Sequence, residues 1–440
     1  IVISGGFAEM GRPGRALQDA LKTEAKKHGV RVIGPNGMGV FSAPARFNSF
    51  FLLPEAITLP LPGPVALISQ SGAFLSLLLD RFSDMGVGVQ RAVNFGNRVD
   101  VEECELLEAY ETDPDISVIG LYLESVVDGA RFVEVARRVA RTKPIVIWKG
   151  GQAGRAGDAA RAHSASLTGS YEVFQAACAK AGLIEVQGFD EFLQALEVLA
   201  LQPPARGDRV LIVSNGGGMG VFLTDLCEKA GLRIPEPSPA QQAQLKNFLP
   251  EYYSFKNPID LTGSGTNEQC SQAVDLLLQS GEFDALLLVL LAGTTGITPE
   301  VTRPLRGRFS APLPVVVGAY GRTLAPALRT EFLKDGVPVF FSAEAATRAL
   351  KILVDQGRNL REVHRPASDW KPHYTPEGEA GWTQWVHDTP DEMQLKSHLR
   401  HCGVLVPASV HLKTRRDLEE AVRRLKFPMT LKAVGSEIQH

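Results

Sequence analysis

His163 is the residue in this chain best suited to covalent chemistry. It stands in the run Arg161-Ala-His-Ser-Ala-Ser-Leu-Thr-Gly-Ser, and residues 150–162 before it are nearly all Gly, Ala, Arg and Gln. Such a stretch has no apolar face to bury and predicts an exposed loop. Residues 171–182 after it read as an amphipathic helix. An imidazole is often deprotonated near neutrality and can attack as a nucleophile. Carried on a loop, it could serve two places in turn. Taken alone, a loop histidine is more often a solvated side chain, so the surrounding motifs have to decide.

Two further segments could handle an anion. Val65-Ala-Leu-Ile-Ser-Gln-Ser-Gly72 matches Val210-Leu-Ile-Val-Ser-Asn-Gly-Gly217. In each, an apolar strand ends in Ser, an amide residue and Gly, and an apolar helix follows. Gly lets the backbone approach a ligand, and the free N–H groups of a new helix favour negative charge. In open parallel sheets, ligands collect at the carboxyl ends of strands, where both turns fall. A turn that needs Gly only for packing would give the same pattern singly. Two matched turns favour an anion held by two helix dipoles.

The elements that must position these groups alternate along the chain, apolar runs with amphipathic helices, as in parallel α/β folds. The first unit, 62–200, has strands expected at 65–68, 89–93, 118–123, 145–148 and 183–186. A Pro203-Pro204 and Gly207 linker precedes a second unit, 208–357. Its strands are expected at 210–213, 285–291, 315–318 and 337–340, with 232–234 a weaker candidate. Residues 1–45 read as the end of a further α/β domain, with strands at 1–4 and 30–33 flanking a helix at 15–28. Residues 358–387 read as a linker. Residues 388–440 read as the opening of another α/β domain, with helix 416–425 and strands 405–412 and 429–433. Both ends look cut, so a longer protein is expected.

The bulk numbers agree. A length of 440 residues suits about two or three domains. A hydrophobic share of 44%, a charged share of 22% and a net charge of -3 exclude a general basic field for nucleic acid. No apolar run is long enough to span a bilayer. Five scattered cysteines lack metal-ligand spacing and suit a reducing, cytoplasmic setting.

Taken in order, Gly34-Pro35-Asn36, Ser69-Gln70-Ser71-Gly72, Gly96-Asn97 with Asp100, Tyr122-Leu123-Glu124, the His163 segment, Ser214-Asn215-Gly216-Gly217, Asn257-Pro258-Ile259-Asp260 and Leu431-Lys432-Ala433 form a specific set. The chain resembles the NDP-forming (ADP-forming) acyl-CoA synthetases, the acetyl-CoA synthetase group related to succinyl-CoA synthetase. The resemblance implies the end of a CoA-binding Rossmann domain, two flavodoxin-like ligase domains and the start of an ATP-grasp domain. It implies that carboxylic acid, CoA and ATP interconvert with acyl-CoA, ADP and phosphate, with Mg2+ accompanying the nucleotide. The path runs through an acyl phosphate and a phosphohistidine.

By position, the resemblance makes His163 the phosphorylated residue and Glu124 the carboxylate that orients it. Gln70, Ser71 and Gly72, with Gly216, Gly217 and Gly218, would cradle the phosphate. Gly34, Pro35 and Asn36 would contact CoA and Lys432 the nucleotide. His440 lies where some members carry a second relay histidine, and Gly37 replaces a frequent Cys. No resident metal, nucleic acid or membrane partner is expected, and a homo-oligomer is. An alternative is a regulatory synthetase-like body of a protein acetyltransferase, sensing CoA or nucleotide. A flavin or phospho-receiver module is a weaker one, since Ser69 and Ser214 stand where a receiver needs acidic residues.

Overall fold

The computed structural model describes residues 1–53, 55–152, 170–291, 293–306 and 313–363 in one compact unit, and 392–401, 405–410, 412 and 414–425 in a second. His163, Lys432 and His440 lie outside the described residues.

Strands of unbroken Val, Leu and Ile need apolar cover on both faces, which parallel sheets between helices supply. Two such sheets form the first unit. The first contains β1 (Gly39–Ser42), β2 (Phe47–Asn48), β3 (Val65–Ser69), β4 (Val89–Asn94), β5 (Val118–Leu123), β6 (Ile145–Lys149) and β7 (Ile184–Glu185). Their order is β2-β1-β4-β3-β5-β6-β7. The second contains β8 (Val210–Ser214), β9 (Ile259–Asp260), β10 (Ala285–Leu291), β11 (Val315–Tyr320) and β12 (Val339–Phe340), in the order β12-β11-β10-β8-β9. All pairings from β3 to β7 and from β8 to β12 are parallel. Counted from its own first strand, each parallel set runs 2-1-3-4-5, the flavodoxin order. The internal duplication therefore extends to topology, and β3 and β8, buried at every position, are equivalent strands.

The helices are α1 (Arg12–Lys27), α2 (Gly72–Met85), α3 (Glu103–Glu111), α4 (Gly129–Val139), α5 (Tyr171–Ala181), α6 (Phe189–Leu201), α7 (Gly217–Lys229), α8 (Pro239–Leu245), α9 (Asn267–Leu278), α10 (Thr302–Leu305), α11 (Leu324–Leu333) and α12 (Ala343–Val363). Helices α3, α4 and α5 cover one face of the first sheet. Helices α8 to α11 cover the outer face of the second. Between the sheets, α2, α6, α7 and α12 share one core, with Leu75 and Phe82, Phe192 and Leu196, Leu223, and Leu350 and Leu353 fully buried in it. A buried ion pair crosses this layer, from Arg329 Nη2 to Glu197 Oε1 at 2.6 Å. The same guanidinium reaches the carbonyls of Met85 at 3.2 Å and Val339 at 2.6 Å.

Four expectations change in the first unit. Residues 1–4 and 30–33 form no strands; Val2 N–H reaches the Ile33 carbonyl at 2.8 Å without a ladder. Residues 39–48 instead extend the first ligase sheet as an antiparallel pair on β4. In the second sheet an edge strand that was not expected, β9, pairs with β8, and the weaker candidate 232–234 makes only one bridge, Arg209 to Arg233. Helix α12 runs to Val363, into the expected linker.

The second unit has helices α13 (Glu392–His401) and α14 (Arg415–Arg424). Thr414 and Asp417 form a reciprocal capping box at the start of α14, where a helix was expected. Residues 405–410 form no strand, and Leu405 is fully exposed. The expected strand 429–433 lies outside the described residues.

Candidate active site

Each flavodoxin-ordered sheet has a crevice where the strand order reverses, between β3 and β5 in the first and between β8 and β10 in the second. Ligands bind at such points. Both matched turns lie there, and they are built alike. Ser69 Oγ accepts from Ser71 N–H at 3.1 Å and donates to the Ser71 carbonyl at 2.8 Å. Ser214 Oγ accepts from Gly216 N–H at 3.1 Å and donates to the Gly216 carbonyl at 3.0 Å. The serines are thus consumed in shaping the turns, and neither strand end supplies the acidic cluster of a receiver.

The amide residue of each turn then spans its crevice. Gln70 Oε1 accepts from Glu124 N–H at 2.5 Å and Ser125 N–H at 3.0 Å. Asn215 Oδ1 accepts from Leu291 N–H at 2.7 Å, and its Nδ2 donates to the Leu291 carbonyl at 3.1 Å and Thr294 Oγ1 at 2.9 Å. Gln70 is thereby a tether for the Glu124 backbone, a use the sequence did not disclose.

The glycines have separate reasons. A Cβ at Gly72 would sit 2.7 Å from Met38 Cγ, so packing alone requires glycine there. A Cβ at Gly217 would sit 2.6 Å from Asp260 Oδ2, while one at Gly218 would meet nothing within 4 Å. Ser71 caps α2 by accepting from Phe74 N–H at 3.3 Å. Gly216 gives α7 no side-chain cap, leaving the first N–H groups of that helix without one.

Glu124 follows the end of β5 and is 7% exposed. Its carbonyl accepts from Lys149 Nζ at 2.6 Å, and the same ammonium donates to the Gly150 carbonyl at 2.6 Å. Lys149 is itself 5% exposed, and burial holds its pKa below the ordinary lysine value despite the nearby Glu124 charge. Gly150 lacks the side chain that would crowd this place: a Cβ there would lie 2.6 Å from Tyr122 Oη and 3.2 Å from Glu124 Cγ. Burial, and then the Glu124 charge, push the Tyr122 phenol up to about 12. The next residue is fixed as firmly. Arg98 donates to the Ser125 carbonyl at 2.8 Å and Ser125 Oγ at 2.7 Å, while pairing with buried Glu103 at 3.0 Å.

Residues 150–152, on the His163 side of β6, are held at this same edge. Gly150 N–H bonds the Leu123 carbonyl at 2.8 Å, and Gln152 Nε2 the Lys149 carbonyl at 2.9 Å. On the far side of His163, the Ser170 hydroxyl caps α5 by accepting from Val173 N–H at 3.4 Å. Lys149, Gly150, Arg98 and Asn94 were missed as site residues. The one available signal was a lysine or arginine closing an apolar strand or a Gly-Asn turn.

The expected CoA turn is compact. Pro35 and Gly34 are buried, and Asn36 is exposed in the left-handed region at φ 57°. Asn36 N–H bonds the Ser4 carbonyl at 2.9 Å, and its Nδ2 reaches Asn97 Oδ1 at 3.3 Å. Asn97 N–H holds the Pro35 carbonyl at 2.9 Å, and Asp100 holds Val32 N–H at 2.7 Å. Asn94 bridges the Ser69 carbonyl at 2.8 Å and Met38 N–H at 2.6 Å, so this turn is wired to the phosphate-side turn. A Cβ at Gly37 would lie 2.9 Å from the Asn94 carbonyl, which leaves no room there for a cysteine. Among the described residues no group of His, Cys, Asp and Glu could hold a metal, and no helix is long and apolar enough to cross a membrane.

Comparison with known proteins agrees with this layout. Residues 62–199 match the succinyl-CoA ligase like flavodoxin domain, and residues 210–306 match the ligase-CoA domain. The alpha subunit of acetate–CoA ligase [ADP-forming] I from Pyrococcus furiosus is 34% identical over 80% of this chain and 76% of its own length. The alpha subunit of the second such ligase from that organism is 32% identical over 82% of this chain and 79% of its own. A solved structure of the dinucleotide-forming acetyl-coenzyme A synthetase 1 of Ca. Korarchaeum cryptofilum, in complex with phosphate and ADP, superimposes with a TM-score of 0.77 at 29% identity. It covers 83% of this chain and 79% of that one. With both ligase domains matched, their flavodoxin topology in place and relatives above 30% identity over most of their length, the chain belongs to the family of ADP-forming acyl-CoA synthetases.

Proposed function

We propose that the chain performs the central steps of an acid–thiol ligase through a phosphohistidine at His163. In the synthetic direction ATP phosphorylates His163, the phosphoryl group passes to a carboxylate to give an acyl phosphate, and CoA displaces phosphate to give acyl-CoA. Run backwards, phosphate attacks acyl-CoA, the acyl phosphate phosphorylates His163, and ADP takes up the phosphoryl group. CoA and the nucleotide, with its Mg2+, are substrates that come and go. Glu124 accepts a hydrogen bond from one ring nitrogen of His163, fixes its tautomer and leaves the other nitrogen nucleophilic. The first turns of α2 and α7, at Gln70-Ser71-Gly72 and Gly216-Gly217-Gly218, aim N–H groups at the phosphoryl oxygens across a common cleft.

The observation that carries this reading is the matched pair of turns, each tied by its amide side chain across a switch-point crevice. Buried Glu124 stands at one of those crevices, beside the root of the His163 segment. Asn36 and its turn would receive CoA, the part of residues 1–45 that precedes β1 belongs to the end of a CoA-binding Rossmann domain, and residues 388–440 with Lys432 open an ATP-grasp nucleotide domain. The protein acts in the cytoplasm as a homo-oligomer. The relatives described above are ligases, which does not favour a regulatory body.

The test is labelling. Incubated with acetyl [32P]phosphate and Mg2+, the protein should gain a base-stable, acid-labile label that is lost in His163→Ala. Glu124→Gln should slow labelling by about 10²-fold, the usual cost of losing a positioned proton partner, while its thermal melt stays that of the wild type. Stoichiometric labelling of another residue would overturn the mechanism.

A further inference from the structure

The buried Lys149 has no part in the reaction as drawn. Its ammonium lies at the carboxyl edge of β6, where the register places Lys149 opposite Leu123. Only 5% of the residue is exposed. Among the described residues it forms no ion pair, and its hydrogen bonds go to two backbone carbonyls, Glu124 and Gly150, both at 2.6 Å. The Phe174 ring of α5 lies 5.8 Å from the ammonium and adds a weak cation–π contact. An ammonium taken from water without a carboxylate partner is expensive. Two carbonyl dipoles and one ring face offset that only in part. A methionine or leucine would fill the same space at lower cost, so packing does not explain the charge.

We propose that Lys149 is the positioning residue of the phosphoryl-transfer centre, clipping the Glu124 backbone to Gly150 and placing a buried positive charge beside the anions that gather there. The clip is geometric: one ammonium holds the carbonyl of the orienting carboxylate's own residue and that of Gly150, the residue after β6. The charge is electrostatic. Glu124, the phosphoryl group and the developing carboxylate are all negative, and a fixed cation in a low-dielectric pocket lowers the energy of bringing them together. Gln70 completes the clamp by holding the Glu124 and Ser125 N–H groups from the other side. The proposal rests on the phosphohistidine reading above.

Three variants separate charge, donors and shape: Lys149→Arg keeps the charge, Lys149→Gln keeps donors alone, and Lys149→Met keeps only bulk. Each is checked by thermal melt, and the single-turnover rate of labelling by acetyl [32P]phosphate is compared with the CoA dissociation constant. The expected order is Arg well above Gln and Met, with Met losing about 10²-fold in labelling rate and CoA affinity unchanged in all three. If Gln or Met labels at the wild-type rate, the proposal is overturned while the phosphohistidine stands. If labelling and CoA affinity fall together in every variant, Lys149 is structural and the proposal is overturned. If the wild type takes no label at all, the underlying reading fails and this one with it. A variant that does not fold leaves the other two to decide the order.

Discussion

Gly150→Ala perturbs one methyl group and tests the geometry around Glu124 directly. The new Cβ would stand 2.6 Å from Tyr122 Oη, 3.1 Å from its Cζ and 3.2 Å from Glu124 Cγ. Ordinary contacts begin near 3.4 Å, so the phenol must retreat by most of an ångström and the carboxylate side chain by a few tenths. Neither moves freely. The Tyr122 ring is held at 4.2 Å by Phe74 and at 5.6 Å by Trp148. The Glu124 backbone is held by Gln70 on its N–H and Lys149 on its carbonyl. Overpacking of this kind costs about 1–3 kcal/mol, and each kcal/mol lowers Tm by about 2–4 °C in a domain of this size. A sub-ångström shift of the orienting carboxylate should cost far more in rate, about 10²-fold. Differential scanning calorimetry gives the first quantity, and labelling by acetyl [32P]phosphate the second. A lowered Tm with wild-type labelling would show that the placement of Glu124 is irrelevant to the reaction. Unchanged values of both would refute the close approach itself.

Two stability predictions follow from buried charge. In Arg329→Met the Glu197 carboxylate, 3% exposed, loses its partner, and the protein should be destabilised by about 3–5 kcal/mol at pH 8. Burial, only partly countered by Arg329, already raises the Glu197 pKa above its ordinary 4.5. A raised folded pKa contributes stability below the unfolded value and loses it as pH rises, so the deficit of Arg329→Met should shrink from pH 8 to pH 5 in urea titrations. A pH-independent deficit would count against an ionised Glu197. At the start of β8, Arg209 hydrogen bonds, opposed by burial, hold the Asp284 carboxyl below 3.8. A depressed folded pKa stabilises above the unfolded value and loses this as pH falls through the folded one. Asp284→Asn should therefore cost about 1.5–3 kcal/mol at pH 7 and progressively less below pH ~3.8, read as a closing gap between denaturation midpoints.

The parts of this fold legible in sequence are those where one physical requirement acts alone. Val65–Ser69 and Val210–Ser214 are buried throughout, and their apolar runs could only be covered strands. Edges depend on partners far along the chain, and two of them, β9 and the β1–β2 pair, were misread. The edge β9 has two ladder residues, and beside it the Asn257 side chain substitutes for backbone, accepting from Ile212 N–H at 2.9 Å and donating to the Val210 carbonyl at 2.8 Å. No periodicity announces a strand partner made of a side chain. Likewise Gly39–Ser42 pairs with β4 some fifty residues on, so local reading assigned it to the preceding domain. Glu124, Gln70 and the Gly turns were picked out as candidates because motif order marked them. Lys149 was not, because a lysine after Trp148 looks like the solvated end of a strand; only the fold turns its ammonium inward.

The duplication also explains why the two crevices differ. Both inherit a serine-shaped turn and an amide tether, yet the tethers grip different things. Asn215 spends both donor and acceptor on Leu291 and Thr294, locking an uncharged loop. Gln70 spends its carbonyl on Glu124 and Ser125, and its Nε2 makes no hydrogen bond among the described residues. Ser71 caps its own helix, whereas Gly216 leaves α7 uncapped. One half thus carries the Glu124 carboxylate, a buried cation and a spare donor, and the other presents helix N–H groups without a side-chain cap, with Asp260 beside them. On the proposed reaction this division is what a transferred phosphoryl group requires. One wall must set the tautomer and approach of the histidine, which takes side chains held rigidly. On the same reading the α7 turn has only to neutralise charge, which uncapped N–H groups do without competing for the proton.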